Sequence, residues 1–201
     1  MANVNLGNIK KIVFDGDKEV TMPQSVEFDA EAGVAGDVVL PDHVTSIGER
    51  AFVNCRSLTS IVIPQGVTSI GDYAFYYCSS LTSIVIPQGV TSINLGAFQN
   101  CTGLTSITIP QGVTSIGGSA FRYCIRLTHM EIGEGITSLT NDNNIFRNCT
   151  SLESVILPDS CTSVGANTFL YAKSGFTLSV KEGTTVSMTG MPADVNIVYR
   201  P

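Results

Sequence analysis

The sequence predicts a β-dominated α/β solenoid, and three observations support this fold class. A unit of 23 residues recurs with little change at residues 58–80, 81–103 and 104–126. Each copy contains the apolar pattern of a short strand, a Pro–Gln–Gly turn and an Ala–Phe pair. A unit of this length cannot bury its apolar side alone, so successive copies are expected to stack around one elongated core.

The composition suits an ordered domain and argues against several classes of partner. The chain has 201 residues, of which 43% are hydrophobic and 14% charged, so it can bury a substantial core. Its net charge is −6 without a cluster of Lys and Arg, which disfavours nucleic acid and anionic membrane surfaces as partners. Because no apolar run reaches the roughly 18–20 residues of a membrane helix, we expect no membrane insertion.

The first element of each unit is a short strand. In the unit that begins at Leu58, Ile61 and Ile63 alternate with Val62, so the two isoleucines should point inward and Val62 outward. Pro64 ends the strand because it has no N–H group for the ladder. Successive strands should form a parallel sheet of roughly seven rungs, about 4.8 Å apart.

The rest of the unit contains a second extended pair and a short turn. Val67 and Ile70 are the expected inward pair. Gly71 follows, and Gly or Asn occupies its equivalent positions; since both tolerate positive φ, we predict a left-handed corner there. The Ala–Phe pair and the Cys after it have helical spacing, which predicts one helical turn with an inward edge. The equivalents of Gly71 are Gly48, Asn94, Gly117 and Gly165.

Two residue types recur in register and predict stacked columns in the core. A column of phenylalanines should be the main hydrophobic spine, and a column of cysteines should be free and buried, as is common for Cys outside disulfides. The sixth cysteine, Cys161, stands where other units have Val, which supports the same interpretation. The columns comprise Phe52, Phe75, Phe98, Phe121, Phe146 and Phe169, and Cys55, Cys78, Cys101, Cys124 and Cys149.

The repeats define three parts of the chain. We expect an N-terminal cap at residues 1–33, an array of about six units of 23–25 residues at 34–175, and a C-terminal cap at 176–201. Strands are predicted at residues 11–14, 25–28 and 177–180, and across the alternating Val195, Ile197 and Tyr199. The fourth full unit contains two extra residues around 141–144.

The combined pattern LxxIxIPxGVTSIGxxAFxxC resembles the BspA-type (Treponema pallidum-type) leucine-rich repeat over about residues 38–176. The resemblance implies a right-handed leucine-rich-repeat solenoid whose strands line one face. It also implies a protein of the bacterial surface or exterior, since many members are associated with binding host proteins, other cells or matrix. The motif contains no catalytic residues. The chain also has two His and no CxxC pair, so we expect no enzyme activity, cofactor or metal site.

The outward strand positions are the first candidate binding face. They form a ladder of hydroxyl side chains that changes near one end to charged and ionisable residues. Sheet stability alone is the alternative explanation, because hydroxyl and β-branched residues are good strand formers. The candidate residues are Thr59, Ser60, Thr82, Ser83, Thr105, Ser106, Thr108, Thr128, His129, Glu131, Glu153 and Ser154.

A second candidate lies on the opposite side of the repeat, just before the Cys position. Tyr77, Tyr123 and Tyr171 alternate there with Asn, one ring in every second unit. Tyr is common at binding hot spots, with Arg122 and Arg147 close by in sequence. The alternative is packing, in which each ring rests beside a small Asn of the next unit.

These features predict a non-enzymatic binding scaffold for protein or glycan, used in bacterial adhesion or recognition of host matrix or another cell. A structural module of a larger assembly, such as a surface array or phage-like particle, is the alternative. The first residues, MANVNLGNIKKIVF, contain no apolar signal region before the first charges. Cell-surface or secreted localisation therefore requires an export signal outside this sequence, and an intracellular or virion-associated protein is the other possibility.

Overall fold

The computed structural model describes residues 36–139 and 144–201, together with strands β1 (Ile12–Phe14) and β2 (Ser25–Phe28). The repeats coil into a solenoid with one ladder of longer strands and one of two-residue strands. Numbered in chain order, the longer ladder contains β3 (Gly36–Val39), β5 (Leu58–Val62), β8 (Ser106–Ile109), β10 (His129–Ile132), β12 (Ser154–Ile156), β14 (Thr177–Lys181) and β16 (Asn196–Arg200). The shorter contains β4 (Ser46–Ile47), β6 (Ser69–Ile70), β7 (Ser92–Ile93), β9 (Ser115–Ile116), β11 (Ser138–Leu139), β13 (Ser163–Val164) and β15 (Thr185–Val186).

Where strands of a ladder pair with those of the next turn, they run parallel, as the repeat predicts. The longer ladder forms a two-stranded sheet, β3-β5, and a five-stranded sheet, β16-β14-β12-β10-β8. Between them, the third turn contributes only an isolated bridge between Ser83 and Ser106. The shorter ladder continues through this point, because β6 pairs with β7 and β7 with β9. It divides one turn later, between β9 and β11.

The core is the stack of inward side chains, and the predicted phenylalanine column is confirmed. All six rings are fully buried, and neighbouring rings lie nearly parallel with centroids 5.0–5.6 Å apart. Phe176 extends the column beyond Phe169 in a tilted orientation, at 5.1 Å. Parallel displaced rings at these distances are a favourable aromatic geometry, so the column stabilises the stacking of one turn on the next.

The cysteine column is also confirmed, and it makes an ordered set of contacts. All six cysteines are buried, and none of them forms a disulfide. The thiol of Cys78 donates a hydrogen bond to the carbonyl of Phe52 in the preceding turn at 3.1 Å, and the next three units repeat this contact. Burial raises the pKa of these thiols, to about 12 for Cys149. The thiols are therefore protonated donors at neutral pH.

The predicted helical turn is not confirmed. Phe75 and its neighbours Ala74 and Cys78 are buried, as the spacing predicts. However, the N–H groups alternate between two kinds of partner: Ala74 bonds back to Gly71, whereas Phe75 donates to Ala97 of the next turn. Because every second N–H group leaves its own segment, a ladder of turns replaces the helix. No α-helix occurs within the described ranges, and none of their segments is a helix that could span a bilayer.

The predicted left-handed corner at Gly71 is wrong, as it is at its four equivalents, since none of these residues has positive φ. Glycine is present because the turns approach closely: a Cβ on Gly71 would lie 2.7 Å from the carbonyl carbon of Gly48, and one on Gly117 would lie 2.4 Å from the nitrogen of Leu95. The left-handed positions fall two and six residues later, at Tyr73 and Tyr77 in this unit.

The strands predicted near both ends are present. β1 pairs antiparallel with β2, and β2 pairs in parallel with β4, so the short-strand sheet continues into the N-terminal region. At the other end, β14 pairs with β16 over five residues, including Leu178 with Ile197. The rest of the predicted cap at 1–33, and residues 140–143 of the longer unit, lie outside the described residues.

Candidate binding surfaces

The outward side chains of the longer strands, with residues 82–85, form what we call the strand-lined face. A row of apolar side chains runs along it: Val39 is 63% exposed, Val62 56% and Val85 77%. Valine is common on strands, but three solvent-exposed valines in adjacent turns form a continuous apolar patch rather than scattered single residues. In the next turns the row continues with Thr108, Glu131 and Ile156.

Part of the predicted hydroxyl ladder makes contacts within the protein. Thr59 and Ser60 both donate to the carboxylate of Asp37 on β3, at 2.9 and 2.6 Å. These bonds, above all that from Ser60, hold the pKa of Asp37 below its ordinary value. Thr105 donates to the carbonyl of Thr82, and Thr128 to that of Thr105. These hydroxyls therefore join one turn to the next.

The interruption in the longer ladder opens a groove in the strand-lined face. Its volume is about 330 Å³, and the candidate residues Ser83, Ser106 and Thr108 contribute to its walls. Val85 of the exposed row also lines it, so the groove combines hydroxyl and apolar groups. The full lining consists of residues 83–86, Gln88, residues 106–108 and Pro110.

The charged end of the face is organised around Glu153. One carboxylate oxygen accepts a hydrogen bond from Lys173 at 2.8 Å, and the other lies 3.8 Å from Nε2 of His129. The hydrogen bond from Lys173 is the main cause that lowers the pKa of Glu153. Glu131 lies exposed on the strand of His129, and Ser154 is half-buried. The imidazole thus faces the carboxylate of the next turn rather than that of its own strand.

The second candidate lies on what we call the turn side, formed by residues 48–57, 71–80, 94–103, 117–126, 144–151 and 165–174. Tyr77 and Tyr123 are half-buried, and Tyr171 is 57% exposed. All three adopt left-handed backbone conformations, with φ of 61–62°, as do the alternating Asn54, Asn100 and Asn148. An arginine lies over each ring: Arg56 over Tyr77, Arg122 over Tyr123 and Arg147 over Tyr171, at 5.0–5.4 Å from the centroids.

Sequence reasoning missed some members of both surfaces. It placed Val62 outward on the candidate face, but it assigned the binding role to the hydroxyl and charged side chains rather than to the apolar row of Val39, Val62 and Val85. Lys173 was not anticipated because it reaches Glu153 from the following turn. Arg50 and Arg56 lie over tyrosines of the next turn, which only the stacking of turns brings near.

Two parallel ladders and a continuous aromatic spine define a solenoid of the leucine-rich-repeat type. The family model of the BspA type leucine-rich repeat region, in six copies, matches this chain over residues 35–143, 70–176 and 142–187. The chain belongs to this family. It is therefore a repeat scaffold, of a kind that generally serves protein interaction.

Solved structures agree on the fold. The leucine-rich repeat protein of T. pallidum is 22% identical with a TM-score of 0.57, over 80% of this chain and 87% of that protein. A leucine-rich repeat protein from Bacteroides ovatus is 23% identical with a TM-score of 0.52, over 95% and 70%. The pneumococcal vaccine antigen PcpA is 16% identical with a TM-score of 0.66, over 89% of this chain but only 44% of the antigen. None of the curated proteins matches this sequence.

Proposed function

We propose that this protein is a non-enzymatic binding scaffold of the bacterial surface that recognises a protein or glycan through its strand-lined face. The observation that carries the proposal is the row of Val39, Val62 and Val85, exposed beside the groove at Ser83 and Ser106. Apolar side chains that remain open along a flat face favour a partner surface over a solvated one.

The chemistry of the face suits adhesion rather than catalysis. It presents valine side chains and hydroxyls over several turns, with the charged group of His129, Glu153 and Lys173 at one end. A catalytic site requires a nucleophile or an acid–base pair aimed into a pocket that excludes water. The groove is lined by Ser, Thr, Val, Ile, Gln and Pro, whose side chains provide no general base.

Surface localisation is part of the same proposal. It is supported by the family of the repeat and by the likeness of fold to PcpA, which is named as a vaccine antigen. An interaction module on the outside of a cell would use the long open face of a solenoid, since its area grows with each turn.

Direct binding tests the proposal. Purified protein and the variant Val85→Glu are each applied to matrix proteins, glycans and whole cells. The variant should fold, because glutamate already occupies the equivalent position of β10, at Glu131. A second variant combines His129→Ala, Glu131→Ala and Glu153→Ala. We expect loss of at least tenfold in affinity for the first variant, since a charge would be buried against the partner. Failure of the unmodified protein to bind any probe would contradict adhesion and favour the structural module.

A further inference from the structure

Tyr77, Tyr123 and Tyr171, three of the five tyrosines of the turn side, occupy a backbone conformation that does not suit them. Positive φ is uncommon for residues other than Gly, Asn and Asp, and a bulky side chain there is an outlier. Asn occupies the same position in the alternate turns with the same φ, so the fold does not require a ring. Tyr171 remains 57% exposed, so burial does not offset the backbone strain. A strained and exposed aromatic residue indicates use by a ligand.

Positive charge is concentrated on the same side. Between residues 36 and 172 every Lys or Arg is an arginine of the turn side, namely Arg50, Arg56, Arg122, Arg126 and Arg147. The carboxylates of this side, among the described residues, are Glu49 and Asp72, and Glu49 pairs with Arg50 at 3.0 Å. No ion pair is found within the described ranges for Arg56, Arg122 or Arg147, which lie over Tyr77, Tyr123 and Tyr171. Arg147 donates one hydrogen bond, to the side-chain oxygen of Asn144 at 3.3 Å. A basic strip thus runs along a chain whose net charge is −6.

The rings of Tyr77, Tyr123 and Tyr171 are evenly spaced, since they recur in every second turn. A fourth pair, Arg50 over Tyr73, lies in the same two turns as Arg56 and Tyr77. The phenylalanine spine sets adjacent turns 5.0–5.6 Å apart. Successive rings are therefore roughly 10 Å apart, given the ordinary strand spacing. This is close to the length of a disaccharide in an extended polysaccharide. Beside Tyr171, a groove of about 380 Å³ bounded by Ser174, Met191 and Asp194 gives room for a sugar ring. The carboxylate of Asp194 accepts a hydrogen bond from Ser174, so only an uncharged part of the sugar can face it.

We propose that the turn side binds a linear acidic polysaccharide, with each arginine–tyrosine pair taking one acidic disaccharide. The guanidinium group binds a carboxylate or sulfate through paired N–H groups, and the part of the ring that the arginine leaves uncovered contacts the C–H face of a sugar. Charge complementarity and the regular spacing favour a repeating anion over an acidic peptide, whose side chains have no matching period. This site is separate from the strand-lined face and does not depend on the function proposed there.

Binding to defined polymers tests the proposal. The full chain is titrated with hyaluronan and with heparin, which carry carboxylates alone or mainly sulfates, and with neutral dextran and polyglutamate. Two triple variants are compared: Arg56→Gln, Arg122→Gln, Arg147→Gln, and Tyr77→Asn, Tyr123→Asn, Tyr171→Asn. The second copies residues that the array already accepts at this position, so its fold is secure. Arg126→Gln removes one charge without a stacked ring and serves as the matched control.

We expect at least one acidic polysaccharide to bind, dextran not to bind, and affinity to fall roughly tenfold for each guanidinium removed. The tyrosine variant should lose affinity while its midpoint of unfolding stays the same or rises, because strain is relieved; Arg126→Gln should change affinity less than threefold. Absence of binding to both acidic polysaccharides would overturn the proposal. Equal binding of polyglutamate, or a tyrosine variant that keeps its affinity and loses stability, would also overturn it and would assign the rings to packing.

Discussion

Residues 58–67 and 81–90 both read LTSIVIPQGV, yet they form different structures. The first contains the five-residue strand β5, which pairs with β3. The second forms one isolated bridge, at Ser83. Burial is nevertheless almost the same in both, since Ile61 and Ile84 are 4% and 6% exposed. Inward packing thus follows from the residues themselves, whereas strand pairing depends on the neighbouring turns.

The same contrast separates the two sides of the solenoid. Each ladder of described strands is interrupted, the longer one around residues 81–85 and the shorter one between β9 and β11, but the aromatic spine and the thiol contacts of the turn side continue past both points. We therefore expect the turn side to hold the array together and the strand-lined face to contribute less. The predictions below test this difference, beginning with the largest expected effect.

Alkaline pH should destabilise the protein strongly through the cysteine column. Burial raises the pKa of Cys78, Cys101, Cys124, Cys149 and Cys161 in the folded state. Their contribution is complete below the unfolded pKa of about 8.5 and is lost as pH rises toward the folded values, by up to about 1.4 kcal/mol per thiol per pH unit. Denaturant unfolding at a series of pH values measures this loss, and Cys101→Ala should reduce the slope by about one proton. A free energy of unfolding that is flat above pH 9 would contradict the prediction.

Phe98→Ala should be the most damaging single change on the turn side at neutral pH. The ring is fully buried and stacks on Phe75 and Phe121, so its removal should lower the free energy of unfolding by about 3–5 kcal/mol. The matched change on the other side, Val85→Thr, reproduces Thr108 and should cost less than about 0.5 kcal/mol. Similar losses for the two variants in urea titrations would show that both sides stabilise the array equally.

Gly135→Ala should distinguish close approach of turns from backbone freedom. Gly135 lacks positive φ, but a Cβ there would lie 2.2 Å from the carbonyl oxygen of Val113. We expect a loss of about 1–3 kcal/mol in thermal or urea unfolding, as for overpacking. Gly66→Ala is the control, because its nearest backbone atom lies at 3.5 Å, and it should be neutral or slightly stabilising. Equal effects would mean that contact between turns is not the reason for glycine.

Hydrogen exchange of the unmodified protein should reveal the interruption in the longer ladder. Amides of residues 83–85 should exchange at least about tenfold faster than those of residues 60–62, since locally unpaired backbone opens more readily. Leu81 and Thr82 are left out of the comparison because their N–H groups donate to the carbonyls of Cys78 and Thr59. Because the two segments have the same sequence, intrinsic exchange rates are matched and the comparison needs no correction for residue type. Equal protection would show that the longer ladder is continuous in solution.

Much of the core could be predicted because the repeats supply their own alignment. Phe98 and Cys101 were placed correctly since the same residue recurs at each equivalent position, and only an inward column accounts for that. Gly71 was misinterpreted because glycine has two uses, positive φ and close approach, and sequence does not separate them. The helical spacing of Ala74, Phe75 and Cys78 gave the right burial but the wrong hydrogen bonds, because a ladder of turns presents the same inward edge.

The binding surfaces could be predicted less well, because they depend on contacts between turns. Thr59 and Ser60 were chosen as exposed hydroxyls, but Asp37 of the preceding strand binds both. The groove could not be predicted at all, since residues 81–90 repeat the sequence of a segment that forms an ordinary strand. Whether either surface binds a ligand remains a prediction.

Because Tyr alternates with Asn, the pattern of the turn side repeats every two units, whereas that of the strand-lined face repeats with every unit. A single repeat copies the strand-lined face, but two repeats are needed to copy the turn side. Gain or loss of one repeat would therefore lengthen or shorten the strand-lined face without changing its pattern. On the turn side, the same change would interrupt the alternation of Tyr and Asn. Excision of residues 81–103, for example, would set Tyr77 directly beside Tyr123, with no Asn between them. Lengthening such an array by gene duplication would preserve both sides only when repeats are added in pairs.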